Sequence, residues 1–208
     1  MKWLPAFIIS LAALGCIEAP TEFQRVVVIQ PLGDFPTELQ DTVANAITTY
    51  YHFQTQISSK IDIPKHCFVN IKSPRYRADS LIRYLKTTKP DTVDFVVGLI
   101  AKDISTTKHD ESGVVKKPAS KYNDWGIFGL GYRPGPSCVV STYRISYPKK
   151  EVFISRLKKI VLHELGHNLG LPHCPNENCF MRDAAETIKT IDQVQLNLCK
   201  DCLNQINN

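Results

Sequence analysis

The stretch HELGHNLGLPHC, residues 163–174, holds three of the six histidines in this 208-residue chain. His163 and His167 are four apart, so on a helix their side chains share a face, one turn apart. Two imidazoles so placed can bind one metal ion. Glu164 lies one step round and reaches a water on that ion without displacing it. Gly170 follows His167 by three residues, and a glycine accepts positive φ and can end a helix with a sharp reversal. Pro172 stops the helix from resuming. The reversal swings His173 back toward the other two histidines. Three neutral imidazoles and an open fourth position describe a catalytic zinc site. The ion lowers the pKa of its water and polarises a carbonyl, and Glu164 takes the proton.

A cysteine follows at once. Cys174 is succeeded after four residues by Cys179, then by Phe180 and Met181, and after seventeen more by the C-x-x-C pair Cys199 and Cys202. Four thiolates so spaced fit a closed tetrahedral zinc site. Disulfides are the rival reading, favoured in an oxidising compartment. The whole string, H-E-x-x-H-x-x-G-x-x-H-C-x4-C-x-M-x17-C-x-x-C over residues 163–202, resembles the archaemetzincins, and its first part is the metzincin pattern. GIFGLGY (126–132) and VVSTYRI (139–145) look like strands of that family. The resemblance implies a zinc metallopeptidase with a metzincin-like fold. It implies that His163, His167 and His173 hold the catalytic zinc and that Glu164 is the general base. Cys174, Cys179, Cys199 and Cys202 then hold a second, structural zinc, giving two ions per chain. Met181 takes the place of the methionine in a tight turn beneath the ligands; on physical grounds alone it is a core residue. No tyrosine follows Met181 closely, so the fifth ligand of some metzincins has no candidate there. Metzincins pair their substrate with an exposed sheet edge as an added antiparallel strand. WGIFGLGY is the candidate edge here, with Gly126, Ile127, Phe128 and Gly129 as its core. Its glycines suit close backbone approach, or else relieve packing or make a bulge.

These residues need a scaffold. RVVVIQPLG (25–33) is a continuous apolar run closed by Pro31 and Gly33, which predicts a buried strand. Leu39, Val43, Ala46, Ile47 and Tyr50 recur at helical spacing within 37–53. FVNI (68–71) predicts a strand, 77–88 a helix with Leu81, Ile82 and Leu85 on one side, and DFVVGLIA (94–101) a buried strand. Residues 102–124 are polar and read as an exposed loop. WGIFGLGY and CVVSTYRI, flanking RPGPS, predict two strands joined by a turn. In the last helix Pro148 suits the first turn, and Ile154, Leu157, Val161 and Leu165 form an apolar stripe. Ser155, Arg156, Lys158 and Lys159 lie mostly off it. The order β-α-β-α-β-β-β-α predicts α/β, with α+β as the variant: one mixed, twisted sheet covered by helices. An upper part, 25–170, carries the active-site helix, and a small C-terminal subdomain, 171–208, follows.

MKWLPAFIISLAALGC opens with Lys2 and an apolar stretch from Trp3 to Leu14, too short to cross a bilayer and suited to a secretory signal. Its end resembles a bacterial lipoprotein signal, although Ala13 stands where that pattern favours Leu. The expectation is a signal at 1–15, lipidation of Cys16, a tether at 16–24 and a single peptidase domain at 25–208. That places the protein in the cell envelope, exported and held to a membrane by its lipid alone. With 43% apolar and 22% charged residues the chain is globular. A net charge of +5 without basic runs carrying aromatics argues against nucleic acid as a partner. The partner expected is a peptide or protein substrate, met by a monomer. The other function class is a non-catalytic zinc-binding lipoprotein whose cleft holds a peptide; the intact Glu164 argues against it. Spacing leaves Cys67 and Cys138 unassigned.

Overall fold

The computed structural model describes residues 25–184 and 187–206. The chain runs β1 (Val26–Leu32), α1 (Thr37–Tyr51), β2 (Gln54–Ile57), β3 (Phe68–Asn70), β4 (Pro74–Arg77), α2 (Ala78–Thr88), β5 (Phe95–Ile100) and β6 (Ile104–Thr106). It continues through α3 (Ala119–Tyr122), β7 (Trp125–Ile127), β8 (Gly129–Gly131), β9 (Ser137–Ser141), α4 (Lys150–Asn168), α5 (Ile188–Gln193) and α6 (Lys200–Ile206). Cys16 and the signal expected before it lie outside the described residues.

Five strands form one sheet in the order β2-β1-β5-β9-β8. Its first four are parallel, and β8 runs antiparallel along β9 as an edge. The parallel strands read as unbroken apolar runs because both faces are covered. Alternate residues divide between two cores. Val27, Ile29, Val97, Leu99, Cys138 and Val140 pack with α1 and α4. Val28, Val96, Ile100 and Val139 pack with Leu81, Ile82 and Leu85 of α2. The α/β class therefore stands, with mixed strand directions and helices on both faces.

Several local expectations are corrected. The strands do not form one sheet, because β3-β4-β6-β7 make a second. β6 and α3 lie inside the stretch 102–124 that read as loop. β2 and β4 had no apolar alternation to announce them. WGIFGLGY is two strands rather than one: β7 pairs with β6 in the second sheet, and β8 with β9 in the first. Pro148 precedes α4, whose N-cap is Lys149. Arg156, although off the apolar stripe, is buried, because α5 covers it: its Nε and Nη2 donate to the two oxygens of Asp192, each at 2.7 Å.

Candidate active site

The end of α4 sets the geometry. Gly170 has φ +98°, which residues with a Cβ rarely adopt. Its N–H donates to His167 O at 2.9 Å, and the Leu171 N–H donates back to Gly166 O at 3.0 Å. This is the paired closure of a helix whose chain turns back on itself. The turn returns His173 to the first two histidines. Ring centroids lie 4.6 Å apart for His163 and His167, 5.4 Å for His163 and His173, and 4.9 Å for His167 and His173. Their potential ligand nitrogens all fall within 4.8 Å of one another.

Two of the three rings are oriented from behind. His163 Nδ1 meets Phe180 O at 2.7 Å and His167 Nδ1 meets Leu171 O at 2.8 Å. His173 Nδ1 stands 3.7 Å from the Asp183 carboxylate. The carbonyls on Nδ1 of His163 and His167 fix a tautomer that leaves Nε2 as the ligating nitrogen. Burial, aided by the facing His167, pushes His163 down to about 3, and burial pushes His167 down to about 4. Both rings are neutral at pH 7, the state that a metal requires.

Glu164 is 7% exposed and lies against the sheet edge. A Cβ on Gly129 would fall 2.7 Å from its Oε1, so only glycine lets the strand and carboxyl approach so closely. Burial pushes this carboxyl up to about 8, and a hydrogen bond from the Gly131 backbone offsets part of the effect. A cation at the histidines pulls the other way.

Behind the histidines Met181 is fully buried, with its Sδ against Gly166. The turn around it is closed by Arg182 N–H to Cys179 O at 3.0 Å and tied by Cys174 N–H to Met181 O at 2.8 Å. The four cysteine Sγ atoms also cluster within 4.8 Å, with Cys174–Cys199 at 3.6 Å and Cys179–Cys202 at 3.9 Å. A disulfide needs about 2.05 Å. Tetrahedral thiolates at about 2.3 Å from zinc sit about 3.8 Å apart. The sulfurs are thus spaced as ligands and not as bridges, and all four are free. Cys67 and Cys138 are buried free thiols in the two separate cores.

Sequence reasoning missed several contributors. Tyr51 Oη donates to Leu162 O at 2.8 Å, and the Leu198 N–H donates to Tyr50 Oη. They tie α1 to the active-site helix and to the C-terminal segment, and no local pattern signals such distant partners. Asp183 follows Met181 by two residues without a motif to mark it. Of the expected substrate edge, Ile127, Phe128 and Gly129 line a cleft of ≈ 340 Å³ together with the histidines and Glu164. Gly126 does not: its bare Cα leaves room for the Arg144 guanidinium, which donates to both oxygens of Asp103. Leu130 and Gly131 continue the cleft wall instead.

The sequence model of peptidase family M54 matches residues 35–208. The archaemetzincin of Halobacterium salinarum is 30% identical over 183 residues, covering 84% of this chain and 95% of that protein. The archaemetzincin of Archaeoglobus fulgidus is 26% identical over 180 residues, covering 86% of this chain and 98% of that one. Among solved structures, the archaemetzincin of Methanopyrus kandleri superposes with a TM-score of 0.73 at 25% identity, over 91% of this chain and 97% of the other. The Archaeoglobus fulgidus structure, complexed with malonate, gives 0.70 at 23% identity, over 86% and 99%. Since the match runs from the sheet through both ligand clusters, the chain belongs to the archaemetzincins, peptidase family M54, and is a zinc metallopeptidase.

Proposed function

We propose that the cleft hydrolyses peptide bonds with Glu164 as general base, over a zinc ion held by His163, His167 and His173. The reading rests on one observation above all: three histidines, two of them with Nδ1 held from behind, converge where the Glu164 carboxyl meets the glycine edge of β8. Zinc, when bound, supplies Lewis-acid polarisation of the scissile carbonyl and of the attacking water. The protein does the rest. The substrate backbone lies along β8 as an added antiparallel strand. Glu164, steadied by the Gly131 N–H, accepts the proton of the attacking water and passes it to the departing amine.

The four cysteines hold the second, structural zinc. They lock the segment after His173 onto α6 and so fix the third histidine and Met181. Export and lipidation at Cys16 complete the proposal.

The test is cleavage of a diverse peptide library, read by mass spectrometry, beside zinc analysis. Glu164→Ala is expected to retain zinc and lose hydrolysis, and His167→Ala to lose both. Equal turnover by wild type and Glu164→Ala would replace catalysis with simple peptide binding.

A further inference from the structure

The cleft is not uniform along α4. Lys159 stands one turn before His163, in the same row of the helix as His163 and His167. Ile160 lies beside it, and Ile191 and Val194, in and just after α5, form the facing wall. These residues make an apolar pocket next to the histidines with one ammonium among them. Lys159 Nζ donates to Ile191 O at 2.9 Å. Asp192, the neighbouring carboxylate, gives both oxygens to Arg156 and acts on Lys159 only through its charge, without a hydrogen bond. Burial lowers the Lys159 pKa. Its ammonium has lost hydration that a ligand's carboxylate would restore.

The direction of the substrate follows from the packing. A Cβ on Gly129 meets the Glu164 side chain, whereas one on Gly131 meets the Glu164 carbonyl and the Asn168 side chain. β8 therefore advances alongside α4 in the same sense. A peptide antiparallel to β8 runs from the Asn168 end toward the Lys159 end, past the histidines. The pocket at Lys159 then receives a residue on the C-terminal side of the cleaved bond.

We propose that Lys159 makes this protein selective for a carboxylate immediately C-terminal to the cleaved bond. This rests on the reading of the cleft as a peptide-binding metal site. The carboxylate has two possible sources: an Asp or Glu side chain, or the free C-terminus of a peptide that ends there. The apolar walls take the methylenes, and the ammonium takes the charge.

The experiment compares matched fluorescent peptides on the full-length, zinc-loaded protein. One pair carries Glu or Gln after the cleaved bond with an amidated terminus. A second pair carries Gln there as its last residue, with a free or an amidated terminus. Cleavage is followed in the wild type, and affinity in the hydrolysis-deficient Glu164→Ala background, so binding stays readable whatever the turnover. The expected result is a preference of about tenfold for the carboxylate member of one pair, weakened by salt as a half-exposed ion pair should be. The pair that responds names the source. Lys159→Met should bring the ratio close to one, Lys159→Arg should restore it, and Lys159→Glu should push it below one. Equal affinity within both pairs in the wild-type pocket overturns the proposal, as does a ratio that survives Lys159→Met. Absence of cleavage with an intact binding ratio counts against the catalytic reading alone.

Discussion

Gly129→Ala tests whether the sheet edge and the base were built for each other. The added Cβ would lie 2.7 Å from Cγ and Oε1 of Glu164 and 2.9 Å from its Cδ. Non-bonded carbons rest about 3.5–4.0 Å apart, so roughly 0.8–1.3 Å of overlap must be relieved. β8 is poorly placed to yield. It is paired with β9 on its other side, and the Ser141 N–H donates to Phe128 O at 2.8 Å. The carboxyl therefore moves. A misplacement of about 1 Å costs on the order of 100-fold in rate. The strain costs about 1–3 kcal/mol of stability, as overpacking generally does. The three histidines are untouched. Peptide cleavage, urea unfolding and zinc analysis on one preparation separate these effects: kcat/KM should fall about 100-fold with zinc content unchanged. A folded variant that cleaves within about twofold of wild type would refute the reasoning, because a general base contributes about 10²–10⁴-fold and could not have moved.

Cys199→Ser should lower zinc content from two ions to one per chain and lower the melting temperature; one ion in the wild type, with all four cysteines found in disulfides by non-reducing peptide mapping, would contradict it. Asp192→Asn leaves the Arg156 guanidinium, 7% exposed, without its carboxylate and should cost about 2 kcal/mol in chemical unfolding. Its hydrogen bonds from Arg156 lower the Asp192 pKa, so the wild-type advantage is present above the unfolded value, about 3.9, and is lost as pH falls through the lower folded value. A gap between the two proteins that stays constant down to pH 2 would rule this out. The native protein should begin at Cys16 and carry acyl mass on it, and an intact mass without added lipid would refute the anchoring.

The convergence of the three histidines was legible because they lie within eleven residues and obey helical spacing up to a glycine reversal. The same holds for α1, α2 and the buried strands β1, β5 and β9, whose apolar periods are strong. β2, the polar QTQI, and β4, the PRYR segment, are strands only because partners hold them, so no alternation marks them. The break at Phe128 is invisible for a related reason: three glycines in WGIFGLGY permit either one strand or two, and the choice is made by Arg144 behind Gly126 and Glu164 against Gly129. Arg156 sits off the apolar stripe, and nothing local marks its burial because its partner lies 36 residues away. Lys159 likewise gains its place in the cleft from α5, which has no motif.

The tyrosines at the end of α1 also govern when the site can come into being. Tyr51 meets Leu162 across 111 residues, and Tyr50 meets Leu198 across 148. Such high contact order delays ordering, because the entropy of closing these loops precedes any gain from the contacts. Until Leu198 is available, α1 cannot clamp the segment that carries His173 and Met181. The site is thus completed only with the whole domain: a chain that ends before Leu198 has the histidines of α4 but not the frame that aligns the third.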